Sequence, residues 1–182
     1  MMPKVKDVHL VLYKIDMAFD INFAQRGLIK EHIWKFLLYP EHWNEAANHI
    51  PHNLNWNAVP FNSKHLYSVP NNQKGIYCFV LKPEFHQLFE TRYLFYVGLT
   101  TRDFRTRYKE YLNDLKGKGK PRPKVYSMLK LWDNYLHFYY ADLADDAHIE
   151  ECETKLLNAF VPKVNTSIPM AKIKPELKNI YE

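Results

Sequence analysis

From residue 75 onward, the chain alternates between runs of aromatic and β-branched residues and segments with helical periodicity. Residues 75–81 (GIYCFVL) and 93–99 (YLFYVGL) are two such apolar runs, and the stretch between them is polar and contains Pro83. A third run, LHFYYA, follows at residues 136–141. Aromatic and β-branched residues fit the pleated surface of a sheet, so these runs predict three β-strands, the first two of which pair.

Three helices are predicted around these strands. Residues 103–115 repeat apolar side chains at three- and four-residue spacing, and Thr100 or Thr101 is available to cap the helix start. Residues 125–132 form a shorter helical segment, and residues 147–160 (AHIEECETKLLNAF) have the clearest helical pattern, which Pro162 ends. Together, three strands and three helices indicate a mixed α/β fold.

The first 69 residues are predicted to form an N-terminal, mainly helical extension. Residues 8–15 resemble a strand, residues 28–38 (LIKEHIWKFLL) resemble a helix that Pro40 ends, and residues 41–49 resemble a second short helix. Residues 50–72 hold Pro51, Pro60 and Pro70 among many asparagines, which favours an irregular connection. We therefore place a boundary there, which gives an extension (1–69), a main domain (70–168) and a peripheral tail (169–182).

Composition narrows the class of protein. Of the 182 residues, 47% are apolar, which is enough for one domain with a substantial core. No run approaches the roughly 18 to 20 apolar residues of a membrane span, and residues 1–7 lack the apolar core of a signal peptide, so we expect an intracellular, cytoplasmic protein with no membrane partner. The formal charge of +5 and the isoelectric point near 9.0 favour a polyanionic partner, although weakly.

Cysteine and histidine give no indication of a metal site. Cys78 and Cys152 are the only cysteines and form no Cys-x-x-Cys pair, so two buried free thiols are expected. The nine histidines are scattered without the spacing of metal ligands. Any metal is therefore expected to bind oxygen ligands.

One carboxylate falls among the apolar side chains of the helix predicted at 147–160. Ile149, Cys152, Leu156 and Phe160 define the apolar stripe, and Glu153 lies within it. An unpaired buried charge is costly, so Glu153 should meet a metal ion, a cation or several hydrogen-bond donors. A structural ion pair is the alternative on helix geometry alone.

Two arginines border the apolar stripe of the helix predicted at 103–115, one on each side. Periodicity does not choose between Arg105 and Arg107. Arg107, however, lies four residues before Tyr111 and shares its edge of the helix, which would bring a guanidinium and a phenol hydroxyl together. An arginine that covers the edge of the core is the alternative.

The two paired strands each carry a tyrosine near a position of close approach. Tyr77 lies on the strand face opposite Ile76 and Cys78, and Tyr96 precedes Gly98, where a missing side chain lets a backbone or a ligand approach. Two tyrosine hydroxyls would then face one cavity. Taken singly, such tyrosines are more often core residues with a satisfied hydroxyl.

Taken in order, these residues resemble the signature of the GIY-YIG nuclease superfamily. The matching elements are Gly75-Ile76-Tyr77, Tyr96-Val97-Gly98, Arg107 with Tyr111, Glu153, and Asn165. The resemblance covers residues 73–168 and implies a small α/β sandwich with a central three-stranded antiparallel sheet flanked by helices. It departs from the family in two ways: the link between Tyr96 and Arg107 is one residue longer than in many members, and Leu99 stands where several carry a polar or basic residue.

The resemblance also implies an activity, the metal-dependent cleavage of DNA. Glu153 would hold one Mg²⁺ ion, for which Mn²⁺ can substitute, and Arg107 would stabilise the phosphate. Tyr77 would act as the general base, which requires a lowered phenol pKa that nearby cations could supply. Asn165 would tie down the C-terminal end of the domain. The expected catalytic residues are thus Tyr77, Tyr96, Arg107, Tyr111, Glu153 and Asn165.

Double-stranded DNA is the expected partner. The glycine- and proline-broken loop at 117–124 is basic, and contact with phosphates is about as favoured there as plain exposure to solvent. The residues predicted to contact nucleic acid are Arg102, Arg105, Lys118, Lys120, Arg122 and Lys124.

The kind of nuclease is predicted from the sequence outside the catalytic residues. The chain is short and has no recognisable zinc finger or helix-turn-helix motif, which favours a site-specific restriction-type enzyme, with a homodimer as the arrangement that cuts both strands. Residues 1–69 would then serve DNA recognition or dimerisation. A repair or mobile-element endonuclease of the same family, or a non-catalytic nucleic-acid-binding module with this fold, are the alternatives.

Overall fold

A computed structural model describes residues 29–50, 53–83, 89–166 and 168. They form a four-stranded antiparallel sheet with strand order β1-β4-β2-β3 and a mixed α/β architecture. The strands are β1 (Asn57–Pro60), β2 (Gly75–Leu81), β3 (Tyr93–Thr100) and β4 (Leu136–Asp142). The helices are α1 (Pro40–His49), α2 (Phe104–Leu115), α3 (Pro123–Leu131) and α4 (Asp146–Phe160). Two short 3₁₀ helices lie at Ile29–His32 and Ser63–Ser68.

Both faces of the sheet are covered, because successive residues of the central strand β2 point in opposite directions. Tyr77 and Phe79 pack into a large aromatic core with side chains of α2 and α3. Ile76 and Cys78 pack into a smaller core with the apolar side of α4. The three predicted strands are therefore confirmed, and so is the assignment of Tyr77 to the face opposite Ile76 and Cys78.

A fourth strand lies where an irregular connection was predicted. β1 pairs with β4, and Val59 stands opposite Phe138. Pro60 ends β1 at the edge of the sheet, where a missing backbone N–H interrupts no ladder. Phe61 and Val69 are also buried in the aromatic core. Within the described residues the sheet thus has four strands rather than three, and residues 57–69, assigned to the extension, form part of it or pack against it.

The segment predicted as a helix at 28–38 is helical only at Ile29–His32, and residues 33–39 have no regular structure. Trp34 and Phe36 both stack on Phe95, with ring centroids 4.7 Å and 5.5 Å away. Residues two apart lie on one side of an extended chain but on different sides of a helix, so this stacking excludes the helix. Ile33 and Leu38, which the helical pattern counted as apolar, are exposed.

The other helices match their predictions, with two corrections. α2 is capped by Asp103, whose side chain accepts a hydrogen bond of 2.7 Å from the backbone N–H of Thr106, rather than by Thr100 or Thr101. On α4, Phe160 was predicted to belong to the apolar stripe but is 40% exposed. Leu157 is buried in the core instead. The predicted helices at 41–49 and 125–132 correspond to α1 and α3.

Two predicted segments, the strand at 8–15 and the tail at 169–182, lie outside the described residues. Among the helices that are described, none has the length and apolar character needed to cross a membrane. Cys78 and Cys152 are both buried and free, as expected.

Candidate active site

A hydrogen-bonded group joins β2 to α2 at the centre of the sheet. The hydroxyls of Tyr77 and Tyr111 lie 2.9 Å apart, and Nε of Arg107 donates to the hydroxyl of Tyr77 at 2.9 Å. The guanidinium of Arg107 also lies over the Tyr111 ring, 5.2 Å from its centroid. Arg107 and Tyr111 therefore meet on their shared helix edge, but the guanidinium contacts the ring of Tyr111 rather than its hydroxyl. The hydroxyl to which Arg107 donates is that of Tyr77.

Gly98 makes room for Tyr77. The two residues stand directly opposite each other in the β2–β3 ladder. A Cβ atom at position 98 would lie 2.6 Å from Cζ and from the hydroxyl oxygen of Tyr77. Only glycine therefore allows the Tyr77 ring to lie over β3 in its observed position.

A second arginine belongs to this group. Arg122, the residue before α3, donates from Nη1 to the hydroxyl of Tyr96 and from Nη2 to the hydroxyl of Tyr111, both at 3.1 Å. The sequence pattern placed Arg122 in a basic loop as a contact for nucleic acid. The structure brings it against two of the expected catalytic tyrosines, so that the guanidinium groups of both Arg107 and Arg122 contact Tyr111.

Glu110 was not identified from the sequence. Its carboxylate accepts from Nη1 of Arg107 at 2.6 Å and from Nη2 of Arg102 at 2.7 Å. The spacing of three residues between Arg107 and Glu110 on α2 is a signal that could have indicated this pair. The carboxylate of Glu110 thus holds Nη1 of Arg107 in place, and it forms a second ion pair with the exposed Arg102.

The other basic residues predicted to bind nucleic acid do not join this group. Arg105 donates from Nε to the carbonyl of Val69 at 2.8 Å and from Nη2 to the carbonyl of Tyr67 at 3.3 Å, so it anchors the C-terminal end of the second 3₁₀ helix. Lys118 and Lys120 are exposed in the loop after α2, and no described residue forms an ion pair with them.

Glu153 lines a cleft beside the tyrosines. The cleft has a volume of about 600 Å³, and its walls include Tyr96, Arg122, Lys124, Glu153 and Asn165. Glu153 is half-buried on α4, and no described side chain forms an ion pair with it. Burial raises the pKa of its carboxyl group, against the opposing effects of the Leu99 backbone and of Arg107. A structural ion pair therefore does not account for Glu153 within the described residues.

These residues fit a hydrated Mg²⁺ ion. The carboxylate of Glu153 borders a cleft with room for water molecules and lacks a cationic partner among the described side chains. Those residues contain no group of three or more His, Cys, Asp or Glu side chains that could enclose a metal. An ion at Glu153 would therefore keep most of its water, which is the usual coordination of Mg²⁺.

Asn165 fastens the chain after α4 to the edge strand β3. Its Oδ1 accepts from the backbone N–H of Val97 at 3.0 Å, and its Nδ2 donates to the carbonyl of Val97 at 2.7 Å. The backbone N–H of Val164 adds a bond of 3.1 Å to the carbonyl of Phe95. Both polar groups of the Asn165 side chain are engaged in this way, so its contacts are those of a positioning residue on the cleft wall.

The pKa of Tyr77 moves opposite to the expected direction. Burial raises the pKa of its hydroxyl above the usual range, and neighbouring Tyr96 adds to that, whereas Arg107 and the hydrogen bond with Tyr111 lower it by less. The expectation of a lowered pKa rested on two nearby cations, the metal ion and Arg107. Because Tyr77 is fully buried, the energetic cost of ionising its phenol is larger than the stabilisation that Arg107 gives to the charged form.

The arrangement unites, in and beside one cleft, two guanidinium groups, three tyrosine hydroxyls and a carboxylate without a cationic partner among the described residues. Cations can bind phosphate oxygens, hydroxyls can orient water, and the carboxylate can hold a metal ion. Comparisons with protein-family models, curated proteins and solved structures give no match to this chain, so the residues and their geometry carry the functional argument.

Proposed function

We propose that this protein is a metal-dependent DNA endonuclease of the GIY-YIG type that hydrolyses phosphodiester bonds. The observation that supports it best is the chain of contacts from Arg107 through Tyr77 and Tyr111 to Arg122, which ends at the cleft lined by Glu153. Phosphodiester hydrolysis requires an oriented water, a proton acceptor and stabilisation of charge on the phosphate. This set of side chains offers a group for each requirement.

The two arginines would bind the scissile phosphate. Nη2 of Arg107 and Nε of Arg122 have no hydrogen-bond partner among the described residues, so each guanidinium keeps an N–H group for a phosphate oxygen. The tyrosines and Glu110 hold both groups in place before substrate binds, which lowers the entropy lost in the reaction. Preorganised cations of this kind stabilise a developing negative charge in a partly buried site.

Tyr77 would accept the proton of the attacking water, and Tyr96 and Tyr111 would orient water and phosphate. Since burial raises the pKa of Tyr77, only a small fraction of the phenol is ionised near neutral pH, and cleavage should accelerate as the pH rises. Mg²⁺ bound at Glu153, or Mn²⁺ in its place, would supply Lewis-acid stabilisation of the leaving oxygen.

A plasmid cleavage assay with purified full-length protein tests the activity. Supercoiled plasmid should become nicked or linear with Mg²⁺, remain intact with EDTA, and remain intact with Glu153→Gln in the presence of Mg²⁺. The Glu153→Gln protein should still bind duplex DNA, since the basic side chains are unchanged. Intact plasmid with the wild-type protein across Mg²⁺ and Mn²⁺ concentrations would refute the proposed function.

The restriction-type subclass makes a sharper proposal. A two-fold homodimer would present one site to each strand and match a palindromic or near-palindromic sequence. Each wrong base pair would cost roughly 1 to 3 kcal/mol, so plasmids should yield discrete fragments with common end sequences. Sequencing the ends decides it, because a smear without common ends is the result expected of repair-like or nonspecific cleavage.

A further inference from the structure

Three lysines from different parts of the chain meet beside the cleft. Lys163, in the turn after α4, places its Nζ 4.7 Å from the centre of the Trp34 ring. Lys35 follows Trp34 directly in the segment before α1, and Lys124 near the start of α3 lines the cleft. Val164, next to Lys163, also lines the cleft. The segment at 33–39 therefore packs, through Trp34, against the turn whose next residue lines the cleft.

The Trp34 ring beneath Lys163 packs against two further aromatic rings. Trp34 stacks on Phe95 with ring centroids 4.7 Å apart and contacts the edge of Trp132 at 4.6 Å. A lysine ammonium over such a ring gains a cation–π attraction of about 0.5 to 1 kcal/mol at exposed sites. The packing therefore fixes the position of Lys163, whose stem is half-buried.

No described acidic residue neutralises this cluster. Lys35, Lys124 and Lys163 form no ion pair with the described residues. Burial lowers the pKa of Lys163, and the positive charges of Lys124 and Lys35 lower it further, as expected for like charges that lie near it. A surface that keeps like charges together without ion-pair partners is suited to a polyanion, whose binding relieves that repulsion.

We propose that Lys35, Lys124 and Lys163 form a phosphate-binding track that carries the backbone of duplex DNA from the cleft onto the segment at 33–39. The proposal rests on the proposed endonuclease function and adds a path for the substrate on one side of the cleft. Lysine ammonium groups bind phosphates as point charges and read no bases, so this track sets affinity and position rather than sequence preference. It also assigns DNA binding to the described part of the N-terminal extension.

Salt-dependent binding of the full chain to a duplex of about 30 base pairs, in EDTA to prevent cleavage, tests the track. Each phosphate contact contributes about 0.9 to the slope of log affinity against log salt. Lys35→Gln with Lys163→Gln should therefore reduce the slope by about 1.8 and weaken Kd by roughly 10- to 50-fold near 0.1 M salt. The control, Lys64→Gln with Lys109→Gln, removes the same charge from two exposed lysines that do not line the cleft and should change Kd less than about twofold.

Lys163→Arg separates charge from packing. This variant keeps the cation over Trp34 and should bind with wild-type affinity, and melting curves of all variants show whether the fold persists. At saturating plasmid DNA with Mg²⁺, the control Lys64→Gln with Lys109→Gln should cleave at the wild-type single-turnover rate.

The outcomes distinguish the track from the activity. Equal salt slopes for the track variant and its control, or equal loss of binding in Lys163→Arg and Lys163→Gln, overturn the track. Wild-type protein that binds DNA but cleaves none of several unrelated plasmids in Mg²⁺ overturns the endonuclease function, and the salt slopes still decide the track. Wild-type protein that binds no DNA overturns both.

Discussion

Replacing Gly98 by alanine should displace the ring of Tyr77. The added methyl carbon would lie 2.6 Å from Cζ and the hydroxyl oxygen of Tyr77 and 2.8 Å from Cε1 of Tyr96. Ordinary contacts with a Cβ atom begin at 3.4 Å, so the hydroxyl must retreat by about 0.8 Å, the difference between these distances. Tyr77 is 0% exposed and stacks on Phe138 at 5.3 Å, so the ring has no free space to enter.

Two losses follow from this displacement. Overpacking a filled core costs about 1 to 3 kcal/mol, and Tm falls about 2 to 4 °C for each kcal/mol in a protein of this size. The hydroxyl of Tyr77 would also leave its 2.9 Å contacts with Arg107 and Tyr111. A misplacement of about 1 Å at a reacting group costs roughly 100-fold in rate, so cleavage should fall by that factor.

Single-turnover cleavage at saturating DNA, measured well below Tm, separates the two losses. Gly119→Ala is the matched control, because a Cβ atom there would meet nothing within 4 Å. Its φ of +81° makes alanine strained by about 1 to 2 kcal/mol, so the control should melt earlier and yet cleave at the wild-type rate. Wild-type cleavage by Gly98→Ala, or an equal loss of rate in both variants, would refute the reasoning.

Four further predictions concern the polar side chains. Glu153→Gln should lose at least about 100-fold in Mg²⁺-dependent rate. Without metal, Glu153→Gln should have a higher Tm than wild type at pH 8 but not below about pH 4. Burial raises the pKa of Glu153, so this carboxyl group destabilises the folded state only at a pH where it is ionised in the unfolded chain. Arg107→Ala should lower the rate roughly 100- to 1000-fold, whereas Arg105→Ala, which loses bonds to two carbonyls, should lower only Tm. Arg122→Ala should reduce the rate more than Lys124→Ala does, since only Arg122 contacts the tyrosines. The log of the wild-type rate should rise by about one per pH unit from pH 7 to 9, because burial raises the pKa of the Tyr77 phenol.

Each of these has an outcome that contradicts it. Metal-dependent cutting by Glu153→Gln at the wild-type rate removes the metal site. A larger loss in Arg105→Ala than in Arg107→Ala places the wrong arginine at the phosphate. A rate that levels off below pH 8 while DNA stays saturating excludes ionisation of Tyr77 as the limiting proton transfer, and Tyr77→Phe should abolish the slope.

The spacing of apolar residues correctly predicted the helices and strands that bury one regular face in the core. It was wrong for two segments whose structure depends on contacts with residues distant in the chain. The segment containing Trp34 and Phe36 has a helical spacing of apolar residues, yet both rings stack on Phe95, and this tertiary contact prevails over helix propensity. β1 was not predicted because a four-residue strand that ends in Pro60 has little periodicity, and its pairing with β4 crosses more than 70 residues of chain.

In the candidate site too, some residues could be predicted from sequence periodicity and others could not. Helix and strand periodicity placed Tyr77, Arg107 and Glu153 on the faces where they are found. Arg122 could not be assigned to them from the sequence, because the loop after α2 determines where its guanidinium lies and that loop has no period. The direction of the Tyr77 pKa was also unpredictable, since it depends on complete burial by residues distant in the chain.

The bond pair between Asn165 and Val97 has a consequence for self-association. β3 is an edge strand, and unpaired backbone groups along such an edge are a template for pairing with another chain. Asn165 occupies the N–H and carbonyl of Val97, and Val164 occupies the carbonyl of Phe95. The turn after α4 thus blocks β3 from extending its sheet into a neighbouring molecule. A homodimer is therefore not expected to form by strand addition at β3, and loss of the Asn165 amide should favour strand-mediated aggregation there.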